Sequence, residues 1–231
     1  MNSRDIIRQL KSQANPKNVA GMARFGINGK NVLGISIPYL RNLAKEIMKT
    51  NTDNHKLAGE LWSSKIHEAR ILASFIDSPE NVTEKQMETW VKDFDSWDLC
   101  DQVTTGLFDR TTFAYKKAFE WSKRCEEFVK RAGFALMAGL AVHNKKADDK
   151  AMIEFFEPII RESTDERNFV RKAINWALRN IGKRNQTLKD GAIKTAQKIL
   201  RKAQDDKKNQ GMNNKTARWI ASDAIRELEA R

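Results

Sequence analysis

The stretch from Glu166 to Lys183 reads ERNFVRKAINWALRNIGK and predicts an amphipathic helix. Its apolar residues recur at the three- and four-residue spacing of one helical face, and they are Val170, Ile174, Ala177, Leu178 and Ile181. Trp176 lies away from that face, because each residue advances a helix by about 100°. Three cations surround it on the helix surface, with Phe169 nearby: Lys172, Arg179 and Lys183.

An aromatic side chain set among cations suits a polyanion that also offers a flat surface to contact. The alternative is that Trp176 packs against a neighbouring helix and that the cations form its solvated rim. The pattern of this one helix leaves both interpretations open.

The remainder of the chain also predicts helices. Asn15-Pro16 and Ser36-Ile37-Pro38 have the cap-and-proline pattern of helix starts. Thr83 followed by Gln86 has the pattern of a capping box. No segment sustains the period-two alternation that is typical of β-strands. We therefore predict an all-α protein.

Four of the predicted helices share a pattern of small and basic residues. The pattern is centred at intervals of 63, 41 and 44 residues on Ala69, Ala132, Ala173 and Ala217. The longest interval leaves room for one more unit around Trp97–Thr105. Such spacing favours an array of HEAT-like helical hairpins, in which each unit buries its face on its neighbours. An irregular helical bundle is the alternative.

The composition limits the classes of partner. The chain of 231 residues carries 42 Lys and Arg against 30 Asp and Glu, a formal net charge of +12. This surplus fits nucleic acid, an anionic membrane or an acidic protein, and does not choose among them. No apolar run reaches the roughly 18 residues of a membrane span, and the start lacks the apolar core of a secretory signal. Because there are only two cysteines, we expect a reducing cytoplasmic setting.

Two kinds of site are disfavoured by residue spacing. The three histidines are scattered, without the spacing of metal ligands, so a metal site is not expected. We also expect no cofactor. The longest irregular stretch, Gly26–Ser36, contains a Gly29-Lys30 pair but lacks the spacing of a P-loop. We do not expect it to bind a nucleotide.

A second informative stretch is SWDLCDQVTTGLF, from Ser96 to Phe108. An apolar stripe of Leu99, Val103 and Leu107 predicts that Trp97, Asp101 and Thr104 share the opposite face of a helix. Trp97 and Asp101 are four residues apart, so an indole and a carboxylate point the same way, one turn apart. In a basic protein that binds phosphates, this carboxylate either serves chemistry or forms an interhelical salt bridge.

Arg131 is the last charged residue before the apolar run AGFALMAGLAV. An arginine at the start of a buried helix is either paired or offered to a ligand such as phosphate. Glu127, four residues earlier, is the local candidate for the pair. The local pattern slightly favours the paired interpretation.

Four motifs, in this order, resemble the DNA alkylation repair glycosylases of the AlkD type, a HEAT-like-repeat family that excises cationic N3- and N7-alkylated purines. The segment Gly34–Lys45 is similar to the family's GI-x-x-P-x-x-R motif, and Ser96–Asp101 to its W-D-x-x-D motif. The segment Phe128–Leu136 carries an arginine at the matching position, and Asn168–Arg179 is similar to its KAI-x-W-x-LR helix. The matched segments span most of the chain.

The resemblance implies roles for residues at the matching positions. The catalytic cluster would be Trp97, Asp101 and Trp176, and Arg131 would hold a backbone phosphate. The other residues expected to contact DNA are Lys172, Arg179, Lys183, Arg41, Phe25 and Phe169. The chain departs from active members at two places: Phe25 replaces a tyrosine of the second helix, and Asn168 replaces an aromatic residue. Both departures reduce the polar or aromatic contacts of the cleft.

The chemistry of such a reaction is consistent with these residue types. A cationic alkylpurine already has a weakened glycosidic bond, and positive charge grows on the deoxyribose in the transition state. Indole faces and a carboxylate stabilise that charge, and the carboxylate also positions a water. The resemblance further implies that the lesion stays largely in the duplex, unlike in enzymes that flip the base into a pocket.

These observations combine into one expectation. We predict a single domain over residues 1–231, a right-handed HEAT-like superhelix of antiparallel helix pairs with a concave basic face around duplex DNA. Its function would be hydrolysis of the N-glycosidic bond of alkylated purines by a monomer, with neither a cofactor nor a membrane involved. A non-catalytic helical-repeat module that binds damaged or structured nucleic acid is the main alternative. An array that binds an acidic protein is a weaker one.

Overall fold

The computed structural model describes residues 1–27, 31–210 and 214–230, and every regular element in those ranges is a helix. The prediction of an all-α protein is therefore confirmed. The Gly29-Lys30 pair lies outside the described residues. The elements, in chain order, are α1 (Ser3–Ser12), α2 (Pro16–Ala23), α3 (Ile37–Thr50), α4 (Asn54–Ser63), α5 (His67–Ile76), α6 (Glu84–Val91), α7 (Trp97–Gly106), a 3-10 turn η1 (Phe108–Arg110), α8 (Ala114–Trp121), α9 (Glu127–His143), α10 (Asp149–Ile153), α11 (Phe156–Glu162), α12 (Asn168–Gly182), α13 (Gln186–Gln210) and α14 (Lys215–Glu229).

The helix starts follow the local signals of the sequence. The side chain of Asn15 accepts a hydrogen bond from the Asn18 amide, and Pro16 opens α2. The Thr83 hydroxyl likewise accepts from the Gln86 amide at the start of α6. In a capping box, the side chain of Gln86 would bond back to the backbone N–H of Thr83. Here the Gln86 side chain instead donates to Asp77 at 2.7 Å.

Contacts divide the chain into two compact units, Met1–Thr112 and Phe113–Arg231. In the first unit, α5 packs between α3 and α7 and pairs with α4. Two stacked indoles, Trp62 and Trp90, lie with ring centroids 3.9 Å apart in its core. That the whole chain forms one domain remains a prediction.

In the second unit, α9 packs against α8 and α12, and α12 packs in turn against α13 and α14. This explains the apolar run after Arg131, because α9 is buried continuously from Val129 to Ala141. Gly133 allows the approach of α8: a Cβ at this position would lie 2.5 Å from the Ser122 amide nitrogen. The similar helices of the sequence are α5, α9, α12 and α14, with α7 as the fifth.

Candidate nucleic-acid interface

The first turn of α7 carries the tryptophan–aspartate pair predicted from the sequence. Trp97 is the first residue of α7, and its indole nitrogen donates to the Phe25 carbonyl at 2.9 Å. Phe25 itself is 69% exposed and lies in the turn after α2, which ends at Ala23. Asp101 follows one turn after Trp97, and both side chains are partly exposed.

Thr104 does not share the face of Trp97 and Asp101, contrary to the prediction. It is fully buried, and its hydroxyl donates to the Cys100 carbonyl at 2.7 Å. The buried sector of α7 is wider than its apolar stripe because α5 packs across it. Hydroxyl and thiol side chains can occupy such a sector, since the hydroxyl bonds to the backbone of the preceding turn.

The residue next to Trp97 anchors α7 to α5. Nε2 of His67 lies 2.8 Å from a carboxylate oxygen of Asp98, and the His67 side chain is only 4% exposed. Burial lowers the pKa of His67, but the hydrogen bond and charge of Asp98, with Glu68 and Asp95, outweigh it and raise that pKa. Burial also raises the pKa of Asp98, yet its pairing with His67 lowers it overall. Both shifts favour the charged pair, which holds the first turn of α7 in place.

Glu68, the next residue of α5, organises the segment before α3. Its carboxylate is buried and accepts hydrogen bonds from three successive backbone amides: Leu33 at 2.8 Å, Gly34 at 2.6 Å and Ile35 at 3.3 Å. Gly34 has φ +76°, and a Cβ there would lie 2.5 Å from the Asn15 carbonyl oxygen. Only glycine adopts this conformation without strain. The Glu68 carboxylate therefore fixes the backbone at the start of the GI-x-x-P segment.

Arg41, the arginine of that segment, is exposed on α3. Its guanidinium carbon lies 5.6 Å from the ring centroid of Phe75, a partly exposed residue of α5. A cation–π contact of this kind leaves the outer donors of the guanidinium accessible. The placement suits a phosphate contact, which remains a prediction.

In the second unit, Trp176 lies partly exposed on α12. Within the described part of the chain, its indole makes no hydrogen bond or ring contact. Lys172, one turn earlier, is exposed, and the described residues offer it no ion-pair partner. The aromatic residue and at least one of the predicted cations thus remain available to a ligand.

The other two cations of this face are paired with α14. Arg179 and Lys183 both form salt bridges with Glu227, and Asp223 lies 3.8 Å from Arg179. The bond from Lys183, followed by that from Arg179, lowers the pKa of Glu227. These contacts arise because α14 packs against α12, which the local pattern of α12 does not reveal. Whether either cation also contacts DNA remains a prediction.

Arg131 is buried on α9, 5% exposed, and Nη1 donates to the Phe169 carbonyl at 2.5 Å. Phe169 in turn packs on Phe128, with ring centroids 5.5 Å apart. The sequence proposed Glu127 or a phosphate as the partner of Arg131, and this backbone bond to α12 is an additional one. The contact ties the start of α12 to α9.

His67, Asp98 and Glu68 are the residues that sequence reasoning did not single out. The sequence offers little indication of their burial, because histidine and glutamate are mostly partly or fully exposed in proteins. Among the described residues, no group of three or more His, Cys, Asp and Glu side chains could hold a metal ion. No described helix has the length and apolarity to cross a membrane.

Comparison with known proteins identifies relatives of the chain. The family model described as DNA alkylation repair enzyme matches residues 6–228. A solved structure with 19% sequence identity superposes with a TM-score of 0.72, over 85% of this chain and 83% of that one. That protein is described as one of a new family related to the HEAT-like repeat DNA glycosylases with affinity for branched DNA structures. None of the curated proteins matches the chain. The predicted HEAT-like-repeat fold is therefore confirmed, rather than an irregular bundle.

Proposed function

Because the chain belongs to the DNA alkylation repair enzyme family, we propose that it hydrolyses the N-glycosidic bond of cationic N3- and N7-alkylated purines in duplex DNA. The observation that carries this proposal is the first turn of α7. There Trp97 and Asp101 lie one turn apart, both partly exposed, on a helix that Phe25 and His67 hold in place. Pure DNA binding gains nothing from a carboxylate that faces the duplex, so an Asp101 turned toward the DNA would serve chemistry.

The reaction uses the charge of Asp101 and the π face of Trp97. As the glycosidic bond breaks, the bonding electrons leave with the base, which becomes a neutral alkylpurine, and positive charge grows on the deoxyribose. Water then adds its oxygen to the sugar and releases a proton. A carboxylate about 4 Å from that charge contributes about 4 kcal/mol at an effective dielectric constant of 20, which equals several powers of ten in rate. The resemblance to the family assigns Trp176, in the second unit, a role toward the sugar as well.

Phosphate contacts follow from exposure and pairing. Lys172 is exposed beside Trp176 on α12, so it is the first of the predicted cations to contact a phosphate. Arg179 and Lys183 contribute less, because Glu227 already neutralises part of their charge. Arg41 adds an exposed cation from the first unit. The resemblance to the family also assigns a phosphate to Arg131, which is buried and donates to the Phe169 carbonyl, so this contact does not follow from its exposure.

The test is single-turnover release of N7-methylguanine from duplex DNA by wild type and Asp101→Asn. The asparagine keeps the size and hydrogen-bonding capacity but removes the charge, so excision should fall by a factor on the order of 10² to 10³. Affinity for undamaged duplex should hold or rise slightly, because a negative charge near phosphates is lost. Asp95→Asn is the matched control, since Asp95 is an exposed carboxylate just before α7. Undiminished excision in the Asp101 variant contradicts the catalytic assignment.

A second function is non-catalytic binding of structured DNA. It is favoured by the solved structure with the same fold, whose family is described as having affinity for branched DNA. The replacement of family aromatic and hydroxyl groups by Phe25 and Asn168 points the same way. This function predicts that wild type releases no base and binds a four-way junction more tightly than a linear duplex of equal length.

A further inference from the structure

Trp219 is a large apolar side chain that the second unit leaves 39% exposed. It lies in the first half of α14. None of the motifs that carry the proposed function includes it. A single exposed indole needs no explanation in itself, so its surroundings decide whether it has a role.

Arg171 of α12 covers one side of the Trp219 ring. Its guanidinium carbon lies 5.4 Å from the ring centroid, within the range of cation–π contacts. Nη2 of Arg171 also donates to the Asn168 side chain at 3.1 Å, which restrains the guanidinium plane. Asn168, which stands where active members of the family have an aromatic residue, thus orients Arg171 on the indole of Trp219.

The charges around Trp219 favour an anion. The first turn of α14, from Lys215 to Trp219, contains two basic residues and no acidic one. Lys215 is exposed and lies four residues before Trp219, on the same side of the helix. The acidic residues later in α14 that face α12 are already neutralised, since Asp223 and Glu227 pair with cations. The region therefore combines a partly exposed indole with the exposed cation Lys215.

We propose that Trp219 and Arg171 form a stacking surface for an unpaired base of DNA, with Lys215 near the adjoining phosphate. In a paired duplex, both faces of a base are covered by its neighbours, so an indole has no base face to contact. In a gap or a fork, an unpaired base can stack on the ring whatever its identity. The surface therefore gives the chain a preference for DNA with an unpaired segment. This inference rests on the DNA binding of the proposed function and specifies the form of DNA that is preferred.

The experiment compares a fully paired duplex with the same duplex carrying a short gap of unpaired thymines. Trp219→Leu keeps apolar bulk and removes the π face, whereas Trp219→Phe keeps a smaller aromatic ring. Affinities are measured by fluorescence anisotropy at one fixed salt concentration, since affinity for DNA depends strongly on salt. We expect the leucine variant to lose about tenfold affinity for gapped DNA, with unchanged affinity for paired duplex. The affinity of the phenylalanine variant for gapped DNA should lie between those of the wild type and the leucine variant.

Arg171→Lys supplies an independent measurement, because it keeps the charge and removes the planar group that covers the ring. Its effect on gapped DNA should be non-additive with that of Trp219→Leu, since the two side chains are in contact. Melting temperatures close to wild type would show that all variants are folded. Three results would overturn the inference. The leucine variant could lose equal affinity for both DNAs, lose affinity for neither, or bind gapped DNA as the phenylalanine variant does.

The outcome also separates this inference from the proposed function. If the wild type excises N7-methylguanine but Trp219→Leu binds both DNAs as the wild type does, only the stacking surface is refuted. A different result refutes only the glycosylase function. In that case the wild type excises no base but prefers gapped DNA, and Trp219→Leu lacks that preference.

Discussion

The pairing of His67 with Asp98 leads to a prediction about stability and pH. His67→Phe keeps a planar aromatic ring and removes both the hydrogen-bond donor and the positive charge. The bond spans 2.8 Å between side chains that are 4% and 14% exposed, so water replaces it poorly. A hydrogen bond to a charged group contributes about 1.5 to 3 kcal/mol. At pH 5.5 the variant should therefore melt lower by about 2 to 4 °C for each kcal/mol lost.

The sign of the pH dependence follows from the direction of each shift. The pKa of His67 is raised in the folded protein, so its stabilisation is complete below the unfolded pKa of about 6.5 and declines as pH rises through the folded pKa. The pKa of Asp98 is lowered, so its stabilisation is present above about 3.8 and declines as pH falls through the folded pKa. The difference between wild type and variant should thus be largest near pH 5.5. It should shrink toward the roughly 1 kcal/mol of a neutral hydrogen bond at pH 8.5.

Thermal melting by circular dichroism at pH 5.5 and 8.5 measures both values. His55→Phe is the comparison, because the His55 side chain is 38% exposed and its buried partner Asp77 also accepts hydrogen bonds from the Ser78 amide and the Gln86 side chain. Water and these partners can replace the lost bond, so we expect a smaller destabilisation than in His67→Phe. A destabilisation by His67→Phe that is equal at the two pH values, or larger at pH 8.5, would refute the reasoning.

Two further predictions follow from the same structure. Lys172→Ala should lower the slope of log affinity for duplex DNA against log salt by about 0.9. Lys183→Ala should lower this slope less, because Glu227 pairs with Lys183. Equal slopes in both variants and wild type would exclude this face of α12 from the interface. Glu68→Gln should destabilise the protein by about 2 kcal/mol, since its NH2 group would face the amides of residues 33–35 and the charge would be lost; chemical denaturation measures this, and a stability equal to wild type would show that the carboxylate is not needed there.

Several features of the site were predictable because they depend on local periodicity. The predicted helix over Glu166–Lys183 is α12, Asn168–Gly182, and its apolar stripe is buried as expected. The same reasoning placed Trp97 and Asp101 one turn apart on α7. Side chains four residues apart in a helix share a face whatever the rest of the chain does.

The prediction for Thr104 failed because a helical stripe only marks the centre of the buried face. How wide that face becomes depends on the helix that packs on it, which for α7 is α5.

The sequence by itself determined the helical class, the cap positions, the basic charge and the spacing of the aromatic and acidic residues. Each of these depends on neighbours within about one or two turns. The tertiary structure decided which charges are available: it paired Arg179 and Lys183 with a glutamate more than forty residues away, and it placed His67 on Asp98, 31 residues later. It also left Trp219 exposed under the guanidinium of Arg171. Such partners come from packing between helices, and the free energy of a charge depends on the partner and burial it acquires there rather than on its neighbours in the chain.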